Sequence, residues 1–409
     1  MIRWLSLFLG IYLFATSLAF GEASVAMSIS DRAAAFALIL LGLRRPGAIQ
    51  LWGFVLVGLW LGIAPLLFWA KSESTYLNNT FCSLGAFALF LATPHPRSDS
   101  EPSIPPGWSY NPSSWPQRLP IAALALIGWM LSRYMAAFEL GYIDAVWDPF
   151  FPGGTLEVIT SKVSRSFPVP DAGLGALAYM LEMLSAFKGG TSRWRTMPWM
   201  VIVFGLLAIP LSLTSVLLIL LQPLVVGAWC TWCLLTAACM LVLMALSLDE
   251  VTAAVQHLRR ARGKPLLRLL LEGSECPGSS VDGRTPSLDA SMATLLKASC
   301  WGVTLPWNLA VSMLLGAGLM LAPWALGVGG TLAGVDHVCG ALVVVVSALS
   351  TAEVARAVRW INIALAAGVG VAGAALGETA LVHACAAVGL ALLAIRRGPV
   401  REQSGLRAD

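Results

Sequence analysis

About twelve apolar runs, long enough or nearly long enough to cross a hydrocarbon core, recur along the chain. They lie at 3–21, 32–43, 50–70, 78–93, 119–140, 171–187, 197–220, 228–247, 306–328, 335–351, 359–376 and 380–395. In lipid the backbone has no water to pair with, so each run must satisfy its own amides and carbonyls as a helix. The expected fold is therefore all-α and polytopic. Composition agrees, because 57% hydrophobic and 12% charged residues exclude an ordinary soluble multidomain protein. The run at 32–43 is the weakest, being short enough for a re-entrant or interfacial piece.

The 26 Lys and Arg residues test this threading. With the N-terminus in the cytoplasm, 21 of them fall in inside segments and four (Arg32, Lys71, Lys162, Arg165) outside, while Arg133 lies within a span. Such a bias follows the positive-inside rule, and a missed or extra helix would scramble it, so both termini are expected in the cytoplasm. The bias also removes nucleic acid as a partner despite the net charge of +4, since the basic residues line one membrane face. No phosphate-binding glycine loop or Rossmann fingerprint is present. The first run has the outline of a signal peptide, but the count works with it retained.

Two polar stretches, 94–118 ("PHPRSDSEPSIPPGWSYNPSSWPQR") and 251–305, read as cytoplasmic connectors. They leave helical blocks at 1–93, 119–250 and 306–396, four spans in each, and a tail at 397–409. A central four-helix bundle between two repeated blocks is expected. Residues 256–271, "QHLRRARGKPLLRLLL", are amphipathic and suit either an anionic membrane surface or a plain connector.

The outer blocks repeat each other. "LWGFVLVGLWLGIAPLLFWA" at 51–70 matches "PWNLAVSMLLGAGLMLAPWALG" at 306–327, each reaching Ala-Pro near its end. The runs at 3–21 and 359–377 are weaker copies without the proline, and the unit is a helical hairpin used twice per block. With Ala322, Pro323 and Trp324 as the clearest signature, these blocks resemble the SPW-repeat family of bacterial membrane proteins.

In the middle block, "GAWCTWCLLT" at 227–236 places Cys230 and Cys233 three apart at the outer end of a span. A CxxC there is a redox disulfide, half a metal site or two small packing residues. A helix N-terminus favours a thiolate through its unpaired amides and dipole, and a CxxC at the edge of the apolar core can pass electrons to a lipid-soluble quinone. Trp229 and Trp232 suit either a stacking wall for such a ring or an interfacial belt.

Residues 108–250 resemble the vitamin K epoxide reductase family, whose last core helix opens with a quinone-facing CxxC and whose outer loop precedes a GxxxY helix start, here Gly175 to Tyr179. The loop serine of the family matches Ser161. Six residues earlier, where the family has a shuttle cysteine, stands Thr155, and 141–152 contain no cysteine. The resemblance implies that Cys230 and Cys233 cycle between dithiol and disulfide in a bacterial cytoplasmic membrane. It further implies ubiquinone or menaquinone as acceptor, a pocket or loop-positioning role for Ser161 and Tyr179, and a thioredoxin-like or small-thiol partner outside the cytoplasm. Without the loop cysteines the pair is reduced directly by its partner, oxidises something else, or has lost turnover. A lipid- or quinone-binding scaffold with a structural disulfide is the rival reading. A transporter is a third, without an unwound polar segment to support it.

Intramembrane charges should face a cavity or one another. Glu182, a candidate cofactor contact, is placed to pair with Arg133, while Glu139 falls on a different face from Arg133. His337 precedes Cys339 by two residues and His383 precedes Cys385 by two, a spacing that points side chains about 200° apart on a helix, so no metal site is expected. These cysteines and Cys82 are alternative sources of a relay thiol, and Cys239 reads as a small core residue.

Overall fold

The computed structural model describes residues 1–19, 24–45, 47–93, 101–261, 265–327, 329–376 and 380–405. The start of the first polar stretch (94–100), the middle of the amphipathic segment (262–264) and the end of the tail (406–409) lie outside the described residues.

All twelve apolar runs lie largely or wholly in helices: Ile2–Ala19, Val25–Leu43, Ala48–Leu67, Glu73–Ala92, Trp115–Glu139, Asp171–Phe187, Pro198–Leu221, Thr231–Arg260, Trp307–Ala325, Thr331–Leu349, Ile361–Leu376 and Ala380–Ile395. Nine helices among the described residues are long and apolar enough to span a bilayer, which marks a multi-pass membrane protein. The other three are shorter, at 17 and 16 residues, or, as in Glu73–Ala92, rich in polar positions such as Asn78 and Asn79. The 32–43 run is the end of a 19-residue helix beginning at Val25. Its apolar signal is masked because Ser30 and Asp31 are buried in polar contacts, with the Trp60 indole donating to Ser30 at 2.8 Å and Asn79 to Asp31 at 3.0 Å.

The chain divides into two compact units. One comprises Met1–Pro96, Leu126–Lys188 and Cys230–Trp232, the other Arg97–Ala125, Gly189–Trp229 and Cys233–Asp409. In the first, Ile2–Ala19 packs on Val25–Leu43 and Ala48–Leu67 on Glu73–Ala92, with Asp171–Phe187 against Ala48–Leu67. In the second, Trp307–Ala325 packs on Thr331–Leu349 and Ile361–Leu376 on Ala380–Ile395. The third hairpin closes tightly: a Cβ at Gly340 would stand 2.5 Å from the Gly316 carbonyl oxygen, so only glycine admits this backbone approach.

The two Ala-Pro helices end alike. Four residues after Pro65 stands Trp69 with φ +46°, and four after Pro323 stands Gly327 with φ +66°. Both residues take the left-handed position that caps a helix C-terminus, a conformation disfavoured for tryptophan and free for glycine.

Within the second unit, the polar stretches read as connectors are folded. Ser103–Ile104 pairs antiparallel with Ser280–Val281, and Trp108, Tyr110, Trp194 and Cys276 form a core. Glu250 accepts both Nε and Nη2 of Arg193 at 2.6 Å and also the Ser113 hydroxyl, with all three residues buried. The amphipathic segment is broken in two, ending one helix at Arg260 and forming another at Leu266–Glu272.

Candidate functional site: a disulfide at a helix start

Beyond Pro198–Leu221 the chain makes one wide turn, in which the Gly227 amide donates to the Gln222 carbonyl at 2.8 Å. Gly227 takes φ +81°, the left-handed conformation that ends a helix, and the next helix starts at Thr231. Cys230 therefore occupies the cap position and Cys233 the third helical residue, joined as a disulfide. Cys230 is 0% exposed, whereas Cys233 is half-buried. Both sulfurs lie where the helix dipole and unpaired amides stabilise negative charge.

The turn is stapled to the loop ahead of it. The Thr231 amide donates to Thr155 Oγ1 at 3.2 Å, the Thr231 hydroxyl donates to Asp148, and the Trp232 indole donates to the Trp147 carbonyl at 2.6 Å. Trp232 also packs edge-on against Tyr134 at 5.7 Å between ring centroids. The hub is Asp148, which accepts the amides of Phe151 at 3.1 Å and Thr155 at 2.7 Å and so satisfies an amide in the first turn of the short helix Gly154–Ile159. Thr155 is thus a buried threonine whose Oγ1 accepts the amide of Thr231, the first of the two residues between the CxxC cysteines.

Burial alone raises the Asp148 carboxyl, but hydrogen bonds from Thr155, Thr231 and Phe151 outweigh it and hold the group below the usual carboxylate range. A depressed folded value means the stabilisation is full above the unfolded value of about 3.9 and is lost as pH falls through the lower folded value. Asp148→Asn removes this charge and weakens the staple at neutral pH, where the carboxylate is ionised. The expected result is a roughly tenfold or greater fall in hydrogen-exchange protection of the Thr155 and Thr231 amides. Unchanged protection would show that Asp148 does not hold the loop.

The other residues named from the sequence are dispersed. Ser161 Oγ accepts the Ser164 amide at 3.3 Å. Tyr179 is buried against Gly128, where a Cβ would meet its ring at 2.4 Å. Glu182 is 0% exposed and both its carboxyl oxygens lack a hydrogen-bond partner among the described residues. The expected Arg133–Glu182 pair is not formed. Arg133 donates to Thr80 at 2.7 Å and lies 4.5 Å over the Tyr76 ring, because the neighbouring Glu73–Ala92 helix offers a hydroxyl and an aromatic face that satisfy a guanidinium. Glu139 accepts the amide of Ala172 at 3.2 Å and lines a cavity of about 520 Å³ with Trp69, Ser164 and Phe167.

Trp229 is 1% exposed, so it belongs to no interfacial belt, and its ring meets His337 edge-on at 5.1 Å between centroids. His383 Nε2 sits 3.0 Å from each Asp336 oxygen and makes no metal cluster with Cys339 or Cys385 among the described residues. An apolar groove of about 140 Å³ is bounded by Ser212, Ile219, Leu234, Leu241, Met320 and Val345, beginning one residue after Cys233. Sequence reasoning missed Asp148, Trp147 and Asp336. The run "DPFFPGG" carried a signal for the first, an aspartate ahead of turn residues whose amides it can bind.

No curated protein and no solved structure matches the chain. Residues 119–248, about a third of the chain and including the CxxC and its loop, match the model of the vitamin K epoxide reductase family.

Proposed function

We propose that this chain is a quinone-linked membrane thiol/disulfide oxidoreductase in which Cys230 and Cys233 carry the electrons. The observation that supports this most is the disulfide at a helix start, with Cys230 buried and Cys233 half-buried, inside the region matched to the family. An incoming thiolate reaches Cys233, forms a mixed disulfide and releases Cys230 as a thiolate at the helix N-terminus. A second donor thiolate then attacks the mixed disulfide, releasing the donor disulfide and leaving the dithiol. With Thr155 and no cysteine at 141–152, electrons enter the CxxC directly from a thioredoxin-like or small-thiol partner.

A quinone, when bound, takes two electrons and two protons from the dithiol. The groove beginning at Leu234 suits its aliphatic chain, since its lining is almost wholly apolar. Within the first unit, Glu182, whose buried carboxyl lacks a hydrogen-bond partner among the described residues, is a hydrogen-bonding group for a ring carbonyl, with Trp232, Tyr179 and Ser161 as pocket or loop-positioning residues; in the second unit Trp229 is a further cofactor-binding candidate. We assign the domains as an oxidoreductase bundle at 119–250 between SPW-type blocks at 1–93 and 306–396. The setting is the bacterial cytoplasmic membrane, spanned about twelve times with both termini inside.

A scaffold with a structural disulfide is the second reading, favoured by the hydrogen-bonded, non-exchangeable Thr155. Alkylation trapping of Cys230 and Cys233 in membranes, before and after quinone depletion, separates the two. The oxidoreductase accumulates dithiol when quinone is removed. A pair indifferent to quinone supports the scaffold.

A further inference from the structure

The 3₁₀ turn Glu353–Trp360 leads into the apolar helix Ile361–Leu376. Beside it opens a cavity of about 510 Å³ whose charged lining is Glu353, Arg356, Arg359, Arg397 and Glu402. The two carboxylates are already engaged. Glu353 accepts the amides of Arg401 at 3.0 Å and Glu402 at 2.8 Å, and Glu402 is gripped by Arg284 at 2.6 and 2.7 Å.

The arginines are not matched in this way. Arg356 and Arg359 are 2% and 7% exposed, and the Nε of each lacks a hydrogen-bond partner among the described residues. Their terminal nitrogens bind mainly carbonyls, those of Thr304, Thr351 and Arg397 for Arg356 and that of Arg356 for Arg359. Among the described residues no carboxylate makes an ion pair with Arg356, Arg359 or Arg397. Buried donors without acceptors and three neighbouring cations are both unfavourable until an anion enters. A phosphate group answers both, since its oxygens accept guanidinium hydrogens in pairs.

The depth also fits. Arg359 lies 4.7 Å over the half-exposed Trp360, and Arg396 lies 5.2 Å over the exposed Trp307, tryptophan–arginine pairs of the kind found at headgroup level. We propose that this cavity binds a phosphate-bearing anion, either a phospholipid headgroup or a soluble phosphate, through Arg356, Arg359 and Arg397. The site is independent of the thiol chemistry.

The test uses the purified full chain in nanodiscs of phosphatidylcholine with and without phosphatidylglycerol, with retained lipid read by native mass spectrometry. Melting in detergent with sodium phosphate or chloride at matched ionic strength is read in parallel. A headgroup site retains phosphatidylglycerol about tenfold over phosphatidylcholine, and Arg359→Gln or the exposed Arg397→Gln removes that preference. A soluble-phosphate site shows instead a melting rise in phosphate alone, lost in the same variants. Arg268→Gln, an exposed arginine paired with Glu272, removes a charge elsewhere and changes neither readout. The proposal is overturned if neither anion discriminates in the native chain, or if Arg359→Gln and Arg397→Gln both keep the discrimination while melting normally.

Discussion

Cys233→Ser is expected to reduce quinone-dependent oxidation of a dithiol by protein-containing vesicles to background, a loss on the order of a thousandfold, while leaving the fold standing. The disulfide closes a loop of only four residues, so its removal costs about 2 kcal/mol in chain entropy. The helix start keeps its other anchors, the Thr155–Thr231 bond and the Trp232 indole on Trp147. Stability and turnover therefore separate in this variant. Cys230→Ser loses turnover equally but keeps Cys233, whose thiolate attacks the disulfide of the oxidised donor, releasing one donor thiol and trapping the donor as a mixed disulfide on Cys233. Turnover within tenfold of native in Cys233→Ser would place the chemistry on another cysteine.

The second large effect is structural. Glu250→Ala leaves the Arg193 guanidinium buried without its bidentate partner and strips Ser113 of its acceptor. Removing one member of such a pair costs about 3–5 kcal/mol, more than the disulfide, and lowers the melting temperature in detergent by on the order of 10 °C. Replacing both partners, Arg193→Met with Glu250→Leu, should recover most of that loss, because no uncompensated charge remains. A Glu250→Ala protein melting within about 2 °C of native would mean the pair contributes little.

Period and hydropathy made the helices legible, since each apolar run is a local property of the chain. Where polar side chains were satisfied by distant residues, the local signal failed. Asp31 shortened an apparent span because its partner, Asn79, is 48 residues away. The stretches 94–118 and 251–305 read as connectors because nothing local announces pairings such as that of Trp108 with Gln256, 148 residues apart. In the site, the CxxC and its place at a helix start were visible. Asp148 was not, because it reaches the CxxC turn across 83 residues. Trp229 showed its aromaticity but not that His337 would pack edge-on against it.

The polar fold also sets an order of events in biosynthesis. Ser109 pairs with Gln403 and Glu402 across more than 290 residues, and Glu353 holds the amides of 401 and 402. At ribosomal speeds of about 5–20 residues per second, Ser109 waits on the order of 15–60 s for these partners. Through that interval Trp108 and Tyr110 have no completed shelter, so chaperones and proteases meet them before the last helices are inserted. Stop codons placed before residue 400 should therefore shorten the lifetime of the whole protein, far from the disulfide and without touching its chemistry.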